Sequence, residues 1–539
     1  MTYAAPVAEQ RFVLDQLAGL GIEPDMLDAV LEGAAQLAEG EWAPLARIGD
    51  TQGPRLTDDG VRMPAGYREA YRAYVEGGWG TIGVEEAHGG QGLPFVVQAA
   101  VLETLGSANM GFALAPILTV GAIEALSHHG SPEQQATYLP RLATGEWTGT
   151  MNLTEPQAGS DVGALRATAT PRGDGTYTIR GTKIFISFGD HDLTDNIVHL
   201  VLARTPDAPV GTRGISLFLV PKVRLDGTPN DVRVVSIEHK MGLHASPTCV
   251  LAFGEEGECV GELIGPEFGG MRAMFTMMNN ARLNVGLQGV QVAEAATQKA
   301  AAFARERVQG AREGGPSAIV AHPDVRRMLM RMRAQTAAAR ALVYYSCAQV
   351  GRAEARDRLE IMTPLAKAHA TDLGNEVASL GIQVHGGMGF IEETGAAQFF
   401  RDARITPIYE GTNGIQAADL VGRKLSLSNG AAFAALIDDM RREAEAVPLV
   451  ALVDACERVG RRLQTADADD RLAASYPFLT MLSVAASGWL LERLARAGDG
   501  NRRAVTAFYL DQIVPEALGL EAAATAPASQ LYALSAEDF

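Results

Sequence analysis

Apolar and polar positions follow three successive rhythms along the 539 residues. Up to about residue 147 apolar side chains recur every three to four positions, as in Tyr67–Trp79 and Val96–Leu126, and predict helices. Ser131-Pro132-Glu133 is written as a helix start. Serine can accept a bond from a free backbone N–H, proline suits the first helical position, and an acid suits the first turn. Between 148 and 267 the period falls to two. Thr176–Ser187, Asn196–Thr205, Gly214–Lys222 and Cys249–Glu255 read as strands separated by turns rich in glycine, proline and aspartate.

The helical period returns over Phe268–Val308, His322–Gly351 and Arg358–Leu380, and an alanine-rich helical tail follows the glycine and serine break near 426–432. The pattern predicts an α+β multidomain chain. Its parts are an N-terminal helical domain with an extension (1–147), a central antiparallel β domain (148–267), a helical domain (268–425) and a further C-terminal helical domain (433–539). Strands grouped between helical blocks do not make an alternating βαβ sheet.

Charge and cysteine content narrow the function. Lysine and arginine number 46 against 64 aspartates and glutamates, a net charge of −18 that repels phosphate backbones and argues against a nucleic-acid partner. Four scattered cysteines without a CxxC pair predict neither a disulfide framework nor a structural metal. The N-terminus lacks a basic start followed by an apolar run, so the expectation is a reduced, cytoplasmic protein. Thr104–Ile123 and Leu472–Leu491 carry no charge, but each holds a proline and several small polar residues. They read as buried core helices and not as integral membrane segments.

Four local patterns bear on chemistry. Gly78-Trp79-Gly80-Thr81-Ile82-Gly83 satisfies GxGxxG, but it follows a helix and opens none, so it reads as a helix-ending turn. On the helix from Phe268, residues Met271, Met274, Phe275, Met278 and Val285 share one face, and Arg282 falls in the middle of it. A guanidinium there either pairs with an internal carboxylate or awaits an anionic ligand. Glu410 follows an apolar run and precedes glycine, as a carboxylate presented from a loop. Partial burial would raise its pKa toward that of a general base, and ion pairing with Arg401 or Arg404 is the alternative. The loop Thr154–Asp161 has the small residues that present backbone N–H groups to a phosphate or a ring carbonyl.

Taken in order, MNLTEPQAGSDV, GTKIFIS, NNARLNVG, ARERVQG, GIQVHGGMGFIEE and RDARITPIYEGTNGIQ resemble the acyl-CoA dehydrogenase family from about Trp79 to Leu425. The two extensions resemble its larger bacterial members, which act on medium- or long-chain acyl-CoA or on methylthiopropionyl-CoA. The resemblance implies that 268–425 is a four-helix bundle and that FAD is the cofactor. Leu153, Thr154, Gly159 and Ser160 would line the flavin and pyrophosphate, with Ser160 also near substrate, and Phe185 and Ser187 would cover the flavin ring. Arg307, Gln309, Gln383, Gly386 and Gly387 would hold the ADP half from a neighbouring subunit, and Thr412 would touch the cofactor beside the base. An aromatic residue that usually follows the glutamine is missing at Gln309-Gly310.

By the same resemblance Glu410 removes the α-proton of an acyl-CoA while the β-hydride passes to the flavin, giving a trans-2-enoyl-CoA. The Glu410 backbone N–H would polarise the thioester carbonyl. Arg282, Tyr409 and Gly411 would meet the substrate. The alternative base position of the family corresponds to Ala281, which cannot serve. The expected partners are electron-transferring flavoprotein, as in β-oxidation of fatty acids, and a second copy in a homodimer. An acyl-CoA oxidase returning electrons to oxygen is the first alternative. A DNA-binding stress-response flavoprotein of the same fold is opposed by the tail 421–539, with 12 basic against 16 acidic residues.

Overall fold

A computed structural model describes residues 3–312 and 314–539. The chain forms two compact units. One comprises Gly33–Leu93 and Thr104–Ala281, and the other Met1–Glu32, Pro94–Glu103 and Arg282–Phe539.

The first unit is built around an eight-stranded sheet. Its strands in chain order are β1 (Trp147–Asn152), β2 (Thr168–Pro171), β3 (Tyr177–Ser187), β4 (Asn196–Ala203), β5 (Ser216–Pro221), β6 (Val232–Ile237), β7 (Thr248–Phe253) and β8 (Val260–Ile264). They lie side by side as β1-β4-β5-β8-β3-β7-β6, with β2 beside β3. Alternate residues of β4 and β5 enter two cores. Leu200, Leu202, Leu217 and Leu219 face Tyr138, Trp147 and Met274, whereas Val201, Phe218 and Val220 face Ile179, Leu251 and Phe253. The sheet is therefore buried on both faces at its centre.

The expected all-antiparallel arrangement is corrected at one edge, where β1 runs parallel to β4 from Trp147↔Asn196 to Asn152↔Val201. Parallel neighbours need a long crossover, and the chain from Asn152 to Asn196 supplies one by laying down β2 and β3 farther along the sheet. The helix start at Ser131 is a complete capping box: Ser131 Oγ accepts from Gln134 N (3.2 Å) and Gln134 Oε1 accepts from Ser131 N (3.0 Å). Gly78, with φ +70°, follows the helix Tyr67–Glu76 in the helix-ending turn.

In the second unit the helices are α1 (Gly270–Glu306, which enters this unit at Arg282), α2 (Pro323–Cys347), α3 (Arg356–His385), α4 (Ala396–Ala403) and α5 (Asn413–Gly422). Glycines let α1 and α3 approach closely: a Cβ on Gly289 would stand 2.1 Å from the Ala370 carbonyl oxygen. Arg340 of α2 bridges the buried carboxylates of Glu103 and Glu294, each at 2.7 Å. The tail forms further helices, chief among them Ala431–Glu443, Val447–Thr465 and Ser475–Ala497.

Two short hairpins were not anticipated: Arg55–Thr57 with Gly60–Arg62 falls in the block expected to be helical, and Val308–Arg312 with Gly315–Ala318 falls between the helices expected to end at Val308 and begin at His322. Among the described residues two helices, Phe95–His129 and Ser475–Ala497, are long and apolar enough to cross a membrane; 83% of the apolar window of each is buried inside the protein, as in core helices.

Candidate active site

Glu410 lies in the loop that joins α4 to α5. Its φ is +54°, and Gly411 follows at +82°. Left-handed backbone at a glutamate costs about 1–3 kcal/mol and persists only where its surroundings impose it. Those surroundings are polar and mostly buried. Asn413 N donates to Pro407 O (2.9 Å), Lys367 Nζ donates to Gly411 O (2.8 Å), and Gln416 Nε2 donates to Gly411 O (3.3 Å). Thr412 caps α5 by accepting from Ile415 N (3.1 Å), and the Tyr409 hydroxyl donates to Gln288 of α1. Among the described residues the backbone N–H groups of Glu410, Gly411 and Thr412 donate to no protein group, so the loop presents three free donors.

The Glu410 carboxylate is half-buried and makes no ion pair among the described residues. Arg401 pairs instead with Glu392 (2.8 Å). Burial pushes the Glu410 carboxyl above the ordinary carboxylate range, against the pull of Arg282 and Lys367. Arg282 is 6% exposed, and its Nη1 stands 4.0 Å from Asp419 Oδ2. Its Nε has no hydrogen-bond partner among the described residues. Desolvation lowers its pKa, offset in part by Asp419 and Glu410. The sequence left two readings of this arginine, and the structure finds no close carboxylate partner for it. Of the stripe around it, Met274 and Val285 are buried and Phe275 is 44% exposed.

Lys367 was not singled out in the sequence, although a lone ammonium in the apolar run Ile361–Ala370 is the same kind of signal as Arg282. It is fully buried on α3, and desolvation lowers its pKa to about 8, opposed by Asp372 and Glu410.

At the far end of α3 a second cluster forms. Phe303 of α1 stacks on His385 (centroids 4.4 Å apart, planes at 27°), so both helices end together. Exposed Arg307 and Gln309 follow Phe303, while exposed Gln383, Gly386 and Gly387 surround His385. A Cβ on Gly386 or Gly387 would meet nothing within 4 Å. Lys367 and His385 lie five turns apart on α3, about 27 Å. One chain therefore does not bring the Arg307 group to Glu410.

In the first unit, Leu153 and Thr154 leave β1 and are tied to β3. Lys183 Nζ donates to Leu153 O (3.1 Å) and to Glu155 Oε1 (2.8 Å), and Ile184 N donates to Thr154 O (2.9 Å). The β3 register slips between Lys183 and Ile186, which turns Phe185 outward with φ +60° and 59% of its surface exposed; Ser187 is half-buried. Gly159 and Ser160 are exposed, and a Cβ on Gly159 would touch nothing within 4 Å.

Sequence profiles of the acyl-CoA dehydrogenase N-terminal, middle and C-terminal domains match residues 25–146, 150–255 and 269–425. The chain belongs to the acyl-CoA dehydrogenase family. It is 47% identical to 3-methylmercaptopropionyl-CoA dehydrogenase of Ruegeria pomeroyi, over 93% of this chain and 92% of that protein. In fold it is similar to Caenorhabditis elegans ACDH-11 in complex with C11-CoA (TM-score 0.81, 23% identity, 95% and 91% of the two chains). It is also similar to an acyl-CoA dehydrogenase complexed with FAD from Bacillus anthracis (TM-score 0.78, 22% identity, 98% and 92%). As a member of this family the protein is an oxidoreductase acting on a CH–CH group.

Proposed function

We propose that this protein oxidises an acyl-CoA thioester to the trans-2-enoyl-CoA with Glu410 as the base. The observation that carries the reading is a half-buried carboxylate, free of ion pairs among the described residues, held on left-handed backbone beside a buried arginine whose nearest carboxylate stands 4.0 Å away. Such strain, kept in place by a dedicated set of hydrogen bonds, is characteristic of a group aimed at a substrate.

FAD is the cofactor, as in the family, and when bound it accepts the β-hydride. The residues present fit it. Phe185 offers an exposed apolar ring, Gly159 and Ser160 an open backbone, and Arg307 with Gly386 and Gly387 a cation beside a cradle without Cβ atoms. The distance along α3 supports a role for the Arg307 group toward the cofactor of a neighbouring copy, and hence a homodimer.

The α-proton of a thioester is weakly acidic, so its departure needs a base and a stabilised carbonyl oxygen together. Glu410 takes the proton at its carboxylate. Its own backbone N–H, free in the loop, donates in this reading to the thioester oxygen, where charge develops. Tyr409 and Gly411 wall the acyl end, and Arg282 supplies positive charge beside the base. Arg282 and Lys367 pull the Glu410 pKa back down against the effect of burial, which favours the ionised base.

The first substrate to test is 3-methylmercaptopropionyl-CoA, followed by straight-chain acyl-CoAs. The proposed acceptor is electron-transferring flavoprotein, and the proposed setting is the cytoplasm. Anaerobic mixing of the FAD-loaded protein with each acyl-CoA should bleach the flavin, and Glu410→Gln should not bleach on the same time scale. Hydrogen peroxide released in stoichiometric amounts during aerobic turnover would favour the oxidase instead. A Glu410→Gln variant that bleaches at the wild-type rate would overturn the assignment of the base.

A further inference from the structure

A chain of hydrogen bonds runs from the C-terminal extension to the base loop, and no proton transfer in the proposed reaction uses it. Tyr476 sits at the start of the helix Ser475–Ala497, beyond residue 425, where the family profile ends. Its hydroxyl donates to Asp372 Oδ2 (2.7 Å). Asp372 Oδ1 accepts from Asn413 Nδ2 (2.8 Å), and Asn413 Oδ1 accepts from Lys367 Nζ (2.8 Å). Lys367 Nζ then donates to the carbonyl oxygen of Gly411 (2.8 Å). Every link lies within one compact unit.

We infer that Tyr476, Asp372, Asn413 and Lys367 form a positioning relay that fixes the Gly411 carbonyl and, through it, the orientation of the Glu410 peptide. The inference rests on the reading of Glu410 as the base. Three features favour it over plain structural support. A buried ammonium is a costly way to satisfy one loop carbonyl, since an apolar side chain at that position would avoid the desolvation. Lys367 reaches its counter-ion Asp372 only through the amide of Asn413, so the geometry of α5 is coupled to that of the ammonium. The restrained carbonyl is that of the Gly411–Thr412 peptide, one residue beyond the left-handed Glu410, so that a rotation about Gly411 would carry the Glu410 backbone and its carboxylate with it.

The relay assigns a role to a tail that the reaction chemistry alone leaves without one: Tyr476 braces the loop from outside the bundle. Asp372 is raised by its own burial and drawn down again by the hydrogen bonds from Tyr476 and Asn413, which keep it an acceptor for both. The charged groups facing Lys367 are Asp372, Glu410 and Arg282.

The test uses the full-length, FAD-loaded protein, with 3-methylmercaptopropionyl-CoA or, if that fails to bleach the wild type, butyryl-CoA. Flavin reduction, KM and thermal unfolding are measured for Tyr476→Phe, Lys367→Met and Lys367→Gln, with Glu410→Gln in parallel. The relay predicts that Tyr476→Phe slows reduction roughly 2- to 30-fold with KM and melting temperature little changed. Lys367→Met should lose about 10²-fold, the scale of an ångström-sized misplacement. Lys367→Gln keeps an N–H donor and should recover part of that loss, while both lysine variants move the acid limb of the rate to higher pH. Wild-type rates in Tyr476→Phe, equal rates in Lys367→Met and Lys367→Gln, or a rate that falls only in step with lost FAD or lost folded protein would each overturn the relay. An active Glu410→Gln would instead remove the reading on which the relay rests.

Discussion

Arg282 Nη1 lies 4.0 Å from Asp419 Oδ2, inside the range of an ion pair and outside that of a hydrogen bond. Asp419 spends its close contacts elsewhere: Arg423 Nε is 2.8 Å from one oxygen, and Arg423 Nη2 is 3.2 Å from the other. A buried guanidinium so poorly matched is weak as a structural pair. Arg282→Met should therefore leave melting temperature nearly unchanged, since no closely bonded carboxylate is stranded by it, while flavin reduction falls sharply. Loss of a structural pair would instead cost about 3–5 kcal/mol and lower the melting temperature by several degrees. Differential scanning calorimetry beside stopped-flow reduction separates the two, and a large loss of stability with turnover intact would reverse the assignment.

Glu410 should show the opposite balance between stability and activity. Burial raises its folded pKa above the unfolded value, so its contribution to stability is complete at low pH and is lost as pH rises through the raised value. Once ionised, the buried carboxylate is a burden on the fold. Glu410→Gln should melt at the wild-type temperature or slightly above it, yet lose about 10²–10⁴-fold in reduction. The wild-type rate should rise with pH along a limb centred above the ordinary carboxylate range. Removing the Arg282 charge should move that limb higher, because Arg282 holds the Glu410 pKa down. A limb unmoved in Arg282→Met would show that the titrating group is not Glu410.

Much of this site was visible in the chain before folding, and the failures share a cause. Arg282 and Glu410 stood out because each breaks a local rule: a cation within an apolar stripe, and a carboxylate closing an apolar run. Lys367 breaks the same rule and could have been found. Gln288, Asn413 and Tyr476 could not, since an amide or hydroxyl violates no pattern and gains its meaning from partners scores of residues away. The alternating strands were legible, but alternation records which face is buried and not which way a neighbour runs. The parallel pairing of β1 with β4 was accordingly missed. The hairpin of Val308–Arg312 with Gly315–Ala318 was hidden because its strands are short and mostly exposed, with too few apolar positions to set a period of two.

The Arg307 cluster bears on assembly. Exposed Arg307 and Gln309 follow the end of α1, and exposed Gly386 and Gly387 follow the end of α3, about 27 Å along α3 from Lys367 and the base loop. If they hold the FAD of a second copy, cofactor occupancy and dimerisation are linked by mass action. Arg307→Ala should then lose FAD more readily on dilution than the wild type, and removal of FAD should shift the dimer toward monomer in light scattering. An FAD-loaded monomer with full activity would contradict the shared site.

Lys183 and Glu155 should behave as a structural pair. Their ion pair (2.8 Å) is buried at both ends, with side-chain exposures of 0% and 4%. Glu155 also accepts from Arg166 N (2.7 Å), Ala167 N (3.0 Å) and Gln157 Nε2 (2.7 Å), so its carboxylate anchors three points of the Leu153–Ala167 segment. Burial acts to raise its pKa, but Lys183 and the two backbone donors outweigh that and hold it below the ordinary carboxylate range. A depressed carboxyl contributes stability that is complete above its unfolded pKa and disappears as pH falls through its folded one. Lys183→Met removes the only charge that compensates Glu155 within hydrogen-bond distance among the described residues. It should cost about 3–5 kcal/mol and move the onset of acid unfolding to higher pH. Because Lys183 also holds Leu153 O and immediately precedes the register slip that turns out Phe185, FAD should be released more readily as well. Glu155→Gln with Lys183→Met, which removes both charges and keeps an acceptor for one of the two backbone donors, should recover part of the stability. Acid titration followed by circular dichroism, beside flavin fluorescence for released cofactor, measures both effects. A Lys183→Met variant that melts and titrates like the wild type would show that the backbone donors alone suffice to hold Glu155.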